Sequence, residues 1–165
     1  YVYGSKKGTF TPVTPVAGYN RTAVIGLADN GTLVGSVDDD GAGVRSGVII
    51  DQKGTVTVFD HPEALSETQA RGVNNKGLVT GYRDSDGSGN QIRYGFIYDS
   101  KKDTFTDIVP SYFTLPQGIN SRGDVVGSAL YFDDGFTPSD PCDSPGFSAR
   151  LGWVRTDHPD ATRMP

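Results

Sequence analysis

The sequence predicts an all-β protein built from tandem four-stranded repeat units, and two observations lead to this prediction. A ten-residue motif with glycine at its first, sixth and tenth positions occurs at 26–35, 72–81 and 118–127, and successive copies begin 46 residues apart. Repeats of about 20–50 residues are typical of solenoids, propellers and similar arrays. Glycine (22 residues) and proline (10) are abundant, and no window shows the sustained i, i+3, i+4 apolar spacing of an amphipathic helix.

The glycine motif itself predicts a β-hairpin. In the second copy, GVNNKGLVTG, Asn74, Asn75 and Gly77 tolerate the positive φ of a tight turn, and strand-forming residues flank them. A phosphate-binding loop needs lysine and a hydroxyl residue after its second glycine, whereas Leu78 follows Gly77. We therefore expect the first and tenth glycines to occupy equivalent backbone positions in three superimposable units. These residues are Gly26, Gly35, Gly72, Gly81, Gly118 and Gly127.

Two further strands complete each unit. Threonine alternates with apolar residues at 55–59 and 104–106, which is typical of a half-buried strand. A second strand, with arginine at its second position and glycine at its fourth, recurs as VRSGVIID, IRYGFIYD and ARLGWVRT. The loop before this strand varies most, and its third copy is a long insertion at 128–146. The units are approximately 1–46, 47–94 and 95–151, with a partial fourth at 152–165, in one domain covering 1–165.

The arrangement of these units predicts a β-propeller-like fold. A β-trefoil is the alternative, because three units of about fifty residues also fit that fold. Typical propellers close with four to eight blades, so three units leave two exposed edges. We therefore expect either that the chain is part of a longer array or that copies join.

These repeats resemble the HAF-type extracellular repeat family. The matching segments are Asp60–Ala64, Gly72–Gly77 and Tyr94–Tyr98, with Gly118–Gly127 in the third copy. The sequence departs from the family pattern at Glu63, where the family tends to glycine, in the missing D-x-P segment of the first copy, and in the long insertion. The resemblance implies a propeller-like array on secreted or surface-attached bacterial proteins, hence an extracellular or cell-surface location. It brings no catalytic residues.

Composition excludes some classes of function. The formal charge of −5 and the pI of about 4.8 disfavour nucleic acid binding, which requires a basic surface. No apolar run is long enough to span a bilayer as a helix. Cys142 is the only cysteine, so an intrachain disulfide is impossible. The chain begins at Tyr1 rather than methionine, from which we expect a processed or trimmed product.

The acidic loop after the second hairpin is the candidate metal site. Asp84, Asp86 and Asn90 bring oxygen ligands together on a glycine-containing loop, as Ca²⁺ requires. The glutamate that completes an EF-hand loop is missing. Aspartate, serine, asparagine and glycine are also the usual residues of exposed turns, and this simpler interpretation is favoured. We therefore expect no cofactor, with weak calcium binding as the alternative.

Histidine does not define a catalytic site in this sequence. His61 and His158 lie in similar Asp-His-Pro segments, and Asp60 could orient His61 only if both side chains faced the same side. Neighbouring side chains on a strand point to opposite sides. No serine stands in a G-x-S-x-G motif, and two histidines with one cysteine make a zinc site unlikely. We predict no catalytic residues and expect the protein not to be an enzyme.

Aromatic residues in the long insertion are the candidate ligand-binding group. Tyr131, Phe132 and Phe136 cluster there and could stack on sugar rings. Trp153 stands where the other repeats place Val48 and Phe96, which predicts a core position. A polysaccharide is therefore a candidate partner.

The function expected from the sequence is that of a non-enzymatic extracellular structural or adhesive repeat protein. Such a protein would self-associate or present surface loops, and its partners would be further copies in a homo-oligomer or filament. We expect the terminal strands, at 1–4 or 151–157, to form the interface, because exposed strand edges pair readily with other chains. The alternative is a glycan-binding, lectin-like module, with or without the assistance of calcium. A carbohydrate hydrolase is a more distant alternative, since several five-bladed propellers are glycosidases.

Overall fold

All regular secondary structure in the described part of the chain is β-strand. The computed structural model describes residues 1–39, 43–84, 92–108, 113–132 and 147–155, and in 130–132 and 147–155 the description covers the backbone alone. These residues form thirteen strands and no helix, so they include no helix that could cross a membrane. The all-β prediction is confirmed.

The strands form four antiparallel sheets in chain order. A short hairpin comprises β1 (Val2–Gly4) and β2 (Thr9–Thr11). The first sheet comprises β3 (Arg21–Leu27), β4 (Leu33–Asp39), β5 (Val44–Ile50) and β6 (Val56–Phe59). The second sheet comprises β7 (Thr68–Val73), β8 (Leu78–Asp84), β9 (Arg93–Asp99) and β10 (Thr104–Ile108). The third sheet comprises β11 (Thr114–Ile119), β12 (Val125–Phe132) and β13 (Phe147–Arg155).

The three glycine hairpins have the same register. The first glycine of each motif pairs with the residue that precedes the tenth, as Gly72 does with Thr80. The tenth glycine pairs across a β-bulge that recurs in every copy, as Gly81 does with Ala70. The predicted hairpins and the equivalence of their glycines are therefore confirmed at the level of strand register.

Asparagine shapes the turn of the second and third hairpins. Asn74 Oδ1 accepts hydrogen bonds from the backbone N–H groups of Lys76 and Leu78, at 3.0 and 3.1 Å. Gly77 has a φ of 86°, a left-handed conformation that costs glycine little. Asn120 caps the third turn in the same way. Of the three residues expected to suit a positive φ, only Gly77 adopts one, and Asn74 acts through its side-chain acceptor instead.

The tenth glycine of the motif is required by the bulge. A Cβ atom on Gly81 would lie 2.0 Å from the carbonyl oxygen of Gln69, and one on Gly35 would lie 1.8 Å from that of Ala23. Both obstacles are backbone atoms of the paired strand. The glycine therefore permits the close strand approach that the bulge creates.

The first glycine of the motif is required by the next sheet. A Cβ atom on Gly26 would lie 2.6 Å from the carbonyl oxygen of Arg71 on β7, and one on Gly72 would lie 3.0 Å from Gly118 Cα on β11. The first strand of each following sheet thus passes directly over this position. The repeated glycine therefore allows one sheet to pack closely against the next.

The main core lies between the first and second sheets. Val34, Ile49 and Phe59 of the first sheet pack with buried residues of the second, which include Phe96 and Tyr98. Phe59 stacks on Tyr98 with ring centroids 4.5 Å apart. On the opposite face of the first sheet a smaller core forms, where residues of the segment 13–19 cover Val37, Val48 and Ile50.

Each sheet begins at a different point of the repeat from the unit that the sequence predicted. The boundaries predicted at 46/47 and 94/95 fall inside β5 and β9, because each hydrogen-bonded sheet begins with the first arm of a glycine hairpin. Two four-stranded antiparallel units are present, and three strands of a third are described. Strand β12 extends to Phe132, so the first residues assigned to the 128–146 insertion belong to a strand.

The Asp-His-Pro segment that contains His158 lies outside the described residues, which end at Arg155.

Candidate functional site

A polar cluster joins the first sheet to the second. His61 follows β6 of the first sheet, whereas Arg83 lies on β8 and Asp107 on β10 of the second. His61 Nε2 lies 3.1 Å from Asp107 Oδ1, although the ring N–H does not point straight at that oxygen. Arg83 forms ion pairs with Glu63 and, at 3.4 Å, with Asp107. These four side chains make up what we call the histidine joint.

His61 is held inside the histidine joint from all sides. Its side chain is only 4% exposed, and its ring centroid lies 5.6 Å from that of Phe96 and 4.6 Å from that of Phe105. Its Nδ1 accepts a hydrogen bond from the Glu63 backbone N–H at 3.2 Å. Nδ1 is therefore hydrogen-bonded and Nε2 lies against the Asp107 carboxylate, so neither ring nitrogen faces open solvent.

Burial sets the protonation state of this histidine. Desolvation lowers the pKa of His61, and the positive charge of Arg83 lowers it further. The carboxylates of Asp107 and Glu63 raise the pKa of His61 but do not outweigh burial. His61 is therefore neutral in the folded protein at pH 7. An engaged neutral histidine of this kind connects two sheets and has no access to act as a general base.

A second cluster, the arginine joint, connects the same two sheets. Arg45 on β5 donates hydrogen bonds to Asp38 on β4 and to Glu67, which immediately precedes β7. The hydrogen bond to Asp38 and the contacts with Glu67 raise the pKa of Arg45 above its usual value. Glu67 also pairs with Arg93 at 3.6 Å and accepts a hydrogen bond from the Tyr82 hydroxyl at 3.1 Å. Glu67 thus lies between two arginines at equivalent positions of consecutive sheets.

A surface depression of about 330 Å³ borders the arginine joint. Its lining includes Asp38, Asp39, Val44, Arg45 and Glu67. The carboxylates of Asp38 and Glu67 in this lining are already bound to Arg45. The depression is therefore acidic, and two of its three carboxylates are paired with Arg45. In the part of the chain that the structure describes, no group of three or more His, Cys, Asp or Glu side chains could hold a metal ion.

The predicted metal ligand Asp84 has a structural role in the loop before β7. Its carboxylate accepts hydrogen bonds from the backbone N–H groups of Leu65, Ser66 and Glu67 at 2.9–3.1 Å, and from the Ser66 hydroxyl at 2.6 Å. Burial raises the pKa of Asp84, but these hydrogen bonds outweigh it, and the pKa lies below its usual value. Asp84 thereby fixes the connection between the first and second sheets.

Replacing Asp84 with alanine should therefore destabilise the protein in the absence of any metal. The change leaves three backbone donors without their acceptor, and we expect the free energy of unfolding to fall by about 1–3 kcal/mol. Urea denaturation of Asp84→Ala and of Asp29→Ala, a variant with an exposed turn aspartate replaced, would measure this difference. If Ca²⁺ raised the melting temperature of the wild type but not of Asp84→Ala, a metal role for Asp84 would hold instead.

The other predicted site residues are only partly covered by the structure. Asp86, Asn90 and Phe136 lie outside the described residues. Tyr131 and Phe132 belong to β12, where they pair with Ala149 and Phe147 of β13. These two residues are therefore placed on a strand and not on a surface loop. Their role in ligand binding stays a prediction.

The polar residues that join the sheets were not predicted from the sequence. Arg83, Asp107 and Glu67 do not belong to any recognisable motif, and their partners are distant in the chain. One signal was available for the arginine joint. Arg45, Arg93 and Arg150 occupy the same position in the three copies of one strand, and an arginine repeated in this way indicates a repeated ion pair.

The hairpin turns of successive sheets are also hydrogen-bonded to one another. Asn75 Oδ1 accepts a hydrogen bond from the Asn30 backbone N–H at 3.0 Å, which links the first two turns. Asn74 Nδ2 donates to the Asn120 carbonyl oxygen at 2.8 Å, which links the second and third turns. Asparagine at these turns therefore has two roles, because it shapes its own turn and connects consecutive sheets.

No family model, curated protein or solved structure matches the chain. The resemblance to HAF-type repeats consequently stays a prediction. What the protein does must be inferred from its own geometry.

Proposed function

We propose that the protein is a non-enzymatic structural or adhesive repeat protein whose units stack in a propeller-like array. One observation carries this proposal. The buried histidine and the arginine–carboxylate groups of both joints lie between one sheet and the next and contact one another there, although Arg83 Nε and Asp107 Oδ1 have no hydrogen-bond partner among the described residues. Groups of this kind would perform chemistry in an enzyme. Here they serve the contact between repeat units.

The contact between units recurs along the chain, which supports an array. Strand β7 packs across β3, β4 and β5, and β11 packs across β7, β8 and β9 in the same manner. Parallel bridges between Arg45 and Glu67 and between Arg93 and Phe113 mark the same point of each contact. Face-to-face stacking of four-stranded sheets is the packing of propeller blades, and for this reason we favour a propeller-like array over a trefoil.

The proposed function includes self-association and a location outside the cell. Repeat arrays bury their apolar faces against neighbouring units, so a unit with an uncovered face is a site for a further unit. The extracellular or cell-surface location rests on the resemblance to HAF-type repeats.

Glycan binding is the second candidate, and one observation favours it. The side of the β1–β2 hairpin carries Tyr1, Tyr3 and Phe10, which are 80%, 53% and 64% exposed. Phe10 contacts both tyrosine rings, with centroids 5.0 and 4.8 Å apart. Exposed aromatic rings held together in this way can stack on sugar rings.

Sedimentation velocity with and without polysaccharide distinguishes these functions. For a structural or adhesive protein we expect the sedimenting mass to rise above 17.6 kDa with protein concentration, unchanged by soluble polysaccharide or chelator. Co-sedimentation with a polysaccharide that is lost in Phe10→Ala would favour the glycan-binding module. Release of reducing sugar by the protein would contradict the non-enzymatic assignment and favour the hydrolase.

A further inference from the structure

Each contact between consecutive sheets has two halves. One half is the first strand of the following sheet, and the other is the face of the preceding sheet that receives it. Val73 on β7 is 6% exposed because it is packed into the core between the first and second sheets. On the receiving side, Val34 of the first sheet and Thr80 of the second are completely buried. Within the chain, the first strand of a sheet is therefore covered by the preceding sheet, and the receiving face is covered by the following sheet.

The first half of the contact is uncovered on β3. Leu27 occupies the position of Val73, yet it is 56% exposed, and Ile25 on the same strand is 42% exposed. The segment containing Val13, Val16 and Tyr19 covers the middle of this face of the first sheet, where Val37, Val48 and Ile50 are buried. The uncovered area includes β3, which is the strand that would pack against a preceding sheet, and it extends to Val44 and Val56, each 41% exposed.

The receiving half is uncovered on the third sheet. Val126 occupies the position of Val34 and Thr80, yet it is 46% exposed. A Cβ atom on Gly118 would meet only Val126 Cγ2, at 3.5 Å. The equivalent Cβ atom on Gly72 would meet the backbone of the following sheet at 3.0 Å. The surface at Gly118 and Val126 therefore corresponds to the receiving faces of the first and second sheets. No strand among the described residues is packed on it.

We infer that a second copy of this chain occupies this surface, with its β3 packed on Gly118 and Val126. The occupant is chosen by continuity with the contact that the chain already forms twice. Both halves exist on one molecule and differ from each other, so the association is head to tail. This inference rests on the proposed function and adds the surfaces through which copies join. The interface expected at the terminal strands 1–4 or 151–157 stays a separate prediction.

Charge substitutions in the two halves test the inference by complementation. Leu27→Asp damages the first half and Val126→Asp damages the receiving half, so each variant alone should sediment as a 17.6 kDa monomer. A mixture of the two variants retains one intact pair of surfaces and should form particles of twice the chain mass and no larger. Leu65→Asp is the matched control, since Leu65 is 62% exposed on the loop before β7, and it should assemble like the wild type.

Gly118→Ala provides a milder variant that leaves the fold intact. The added methyl group has room within one chain but would meet the backbone of a second copy, as the methyl group of an alanine at 72 would meet β11. We expect at least a tenfold weaker association with an unchanged melting temperature measured below the assembly concentration. Assembly that persists in Leu27→Asp, Val126→Asp and Gly118→Ala would overturn the head-to-tail surfaces while leaving self-association intact. A wild type that stays monomeric at all concentrations would overturn self-association itself.

Discussion

Replacing Gly81 with alanine should unfold much of the chain. The new Cβ atom would lie 2.0 Å from the Gln69 carbonyl oxygen and 3.0 Å from Ala70 Cα, which are backbone atoms of the paired strand. A backbone obstacle cannot move aside as a flexible side chain can, so the bulge and its strand pairing must be lost. We expect the free energy of unfolding to fall by about 4 kcal/mol or more, which is at the upper end of single-residue effects.

The control for this substitution is Gly118→Ala. Position 118 is also a strand glycine of the repeated motif, but an added Cβ atom there meets only Val126 Cγ2 at 3.5 Å, an ordinary contact. Urea denaturation at a protein concentration too low for assembly should give a midpoint near that of the wild type for Gly118→Ala and a much lower one for Gly81→Ala. Equal midpoints for the two variants would show that the bulge does not exclude a side chain.

The hairpins could be predicted from the sequence because their causes are local. Asn74 and Gly77 stand within the turn that they shape, and the required backbone conformation can be inferred from these residues alone. The role of Gly72 could not be inferred in this way. Its lack of a side chain serves the close approach of Gly118, which lies one full repeat further along the chain. Only the spacing of the motif indicated that such a contact existed.

The candidate sites were less predictable because their partners are distant in sequence. Asp84 begins a loop whose composition is that of a metal-binding loop. Its hydrogen-bond donors, however, lie 17–19 residues earlier, in a segment without any motif. His61 stands beside Asp60 in the sequence and contacts Asp107 in the structure. The carboxylate that neighbours His61 in the sequence is therefore not the carboxylate that contacts it in the structure. For both residues, the packing of one sheet on the next decided the environment.

Acidification should loosen the contact between the first and second sheets. His61 connects them as a neutral side chain, 4% exposed, with the Arg83 guanidinium among its neighbours. Protonation would place a positive charge in a buried site near another positive charge, and the nearby carboxylates of Asp107 and Glu63 offset only part of this cost. The histidine joint is therefore most stable when His61 carries no charge.

The pH range of this effect follows from the direction of the pKa shift. The pKa of His61 is lower in the folded protein than in the unfolded chain, where it is about 6.5. Between these two values the unfolded chain binds more protons, so the free energy of unfolding rises with pH in that range. Stability is complete above about pH 6.5 and falls as the pH drops toward the folded pKa. The Asp84 carboxyl, whose pKa is also lowered, loses its contribution only below its unfolded value of about 3.9, in a separate range.

His61→Phe separates the titration of His61 from its packing. Phenylalanine keeps an aromatic ring between Phe96 and Phe105 but binds no proton, so the variant should lose the decrease in melting temperature just below pH 6.5. It should keep the decrease at lower pH that comes from carboxylates such as Asp84. Melting curves of the wild type and the variant at half-unit intervals from pH 7.5 to pH 2 would measure both steps. If the two proteins lost stability in parallel from pH 7 to pH 5, the titrating group would have to lie elsewhere, and His61 would serve only as a packed ring between two sheets.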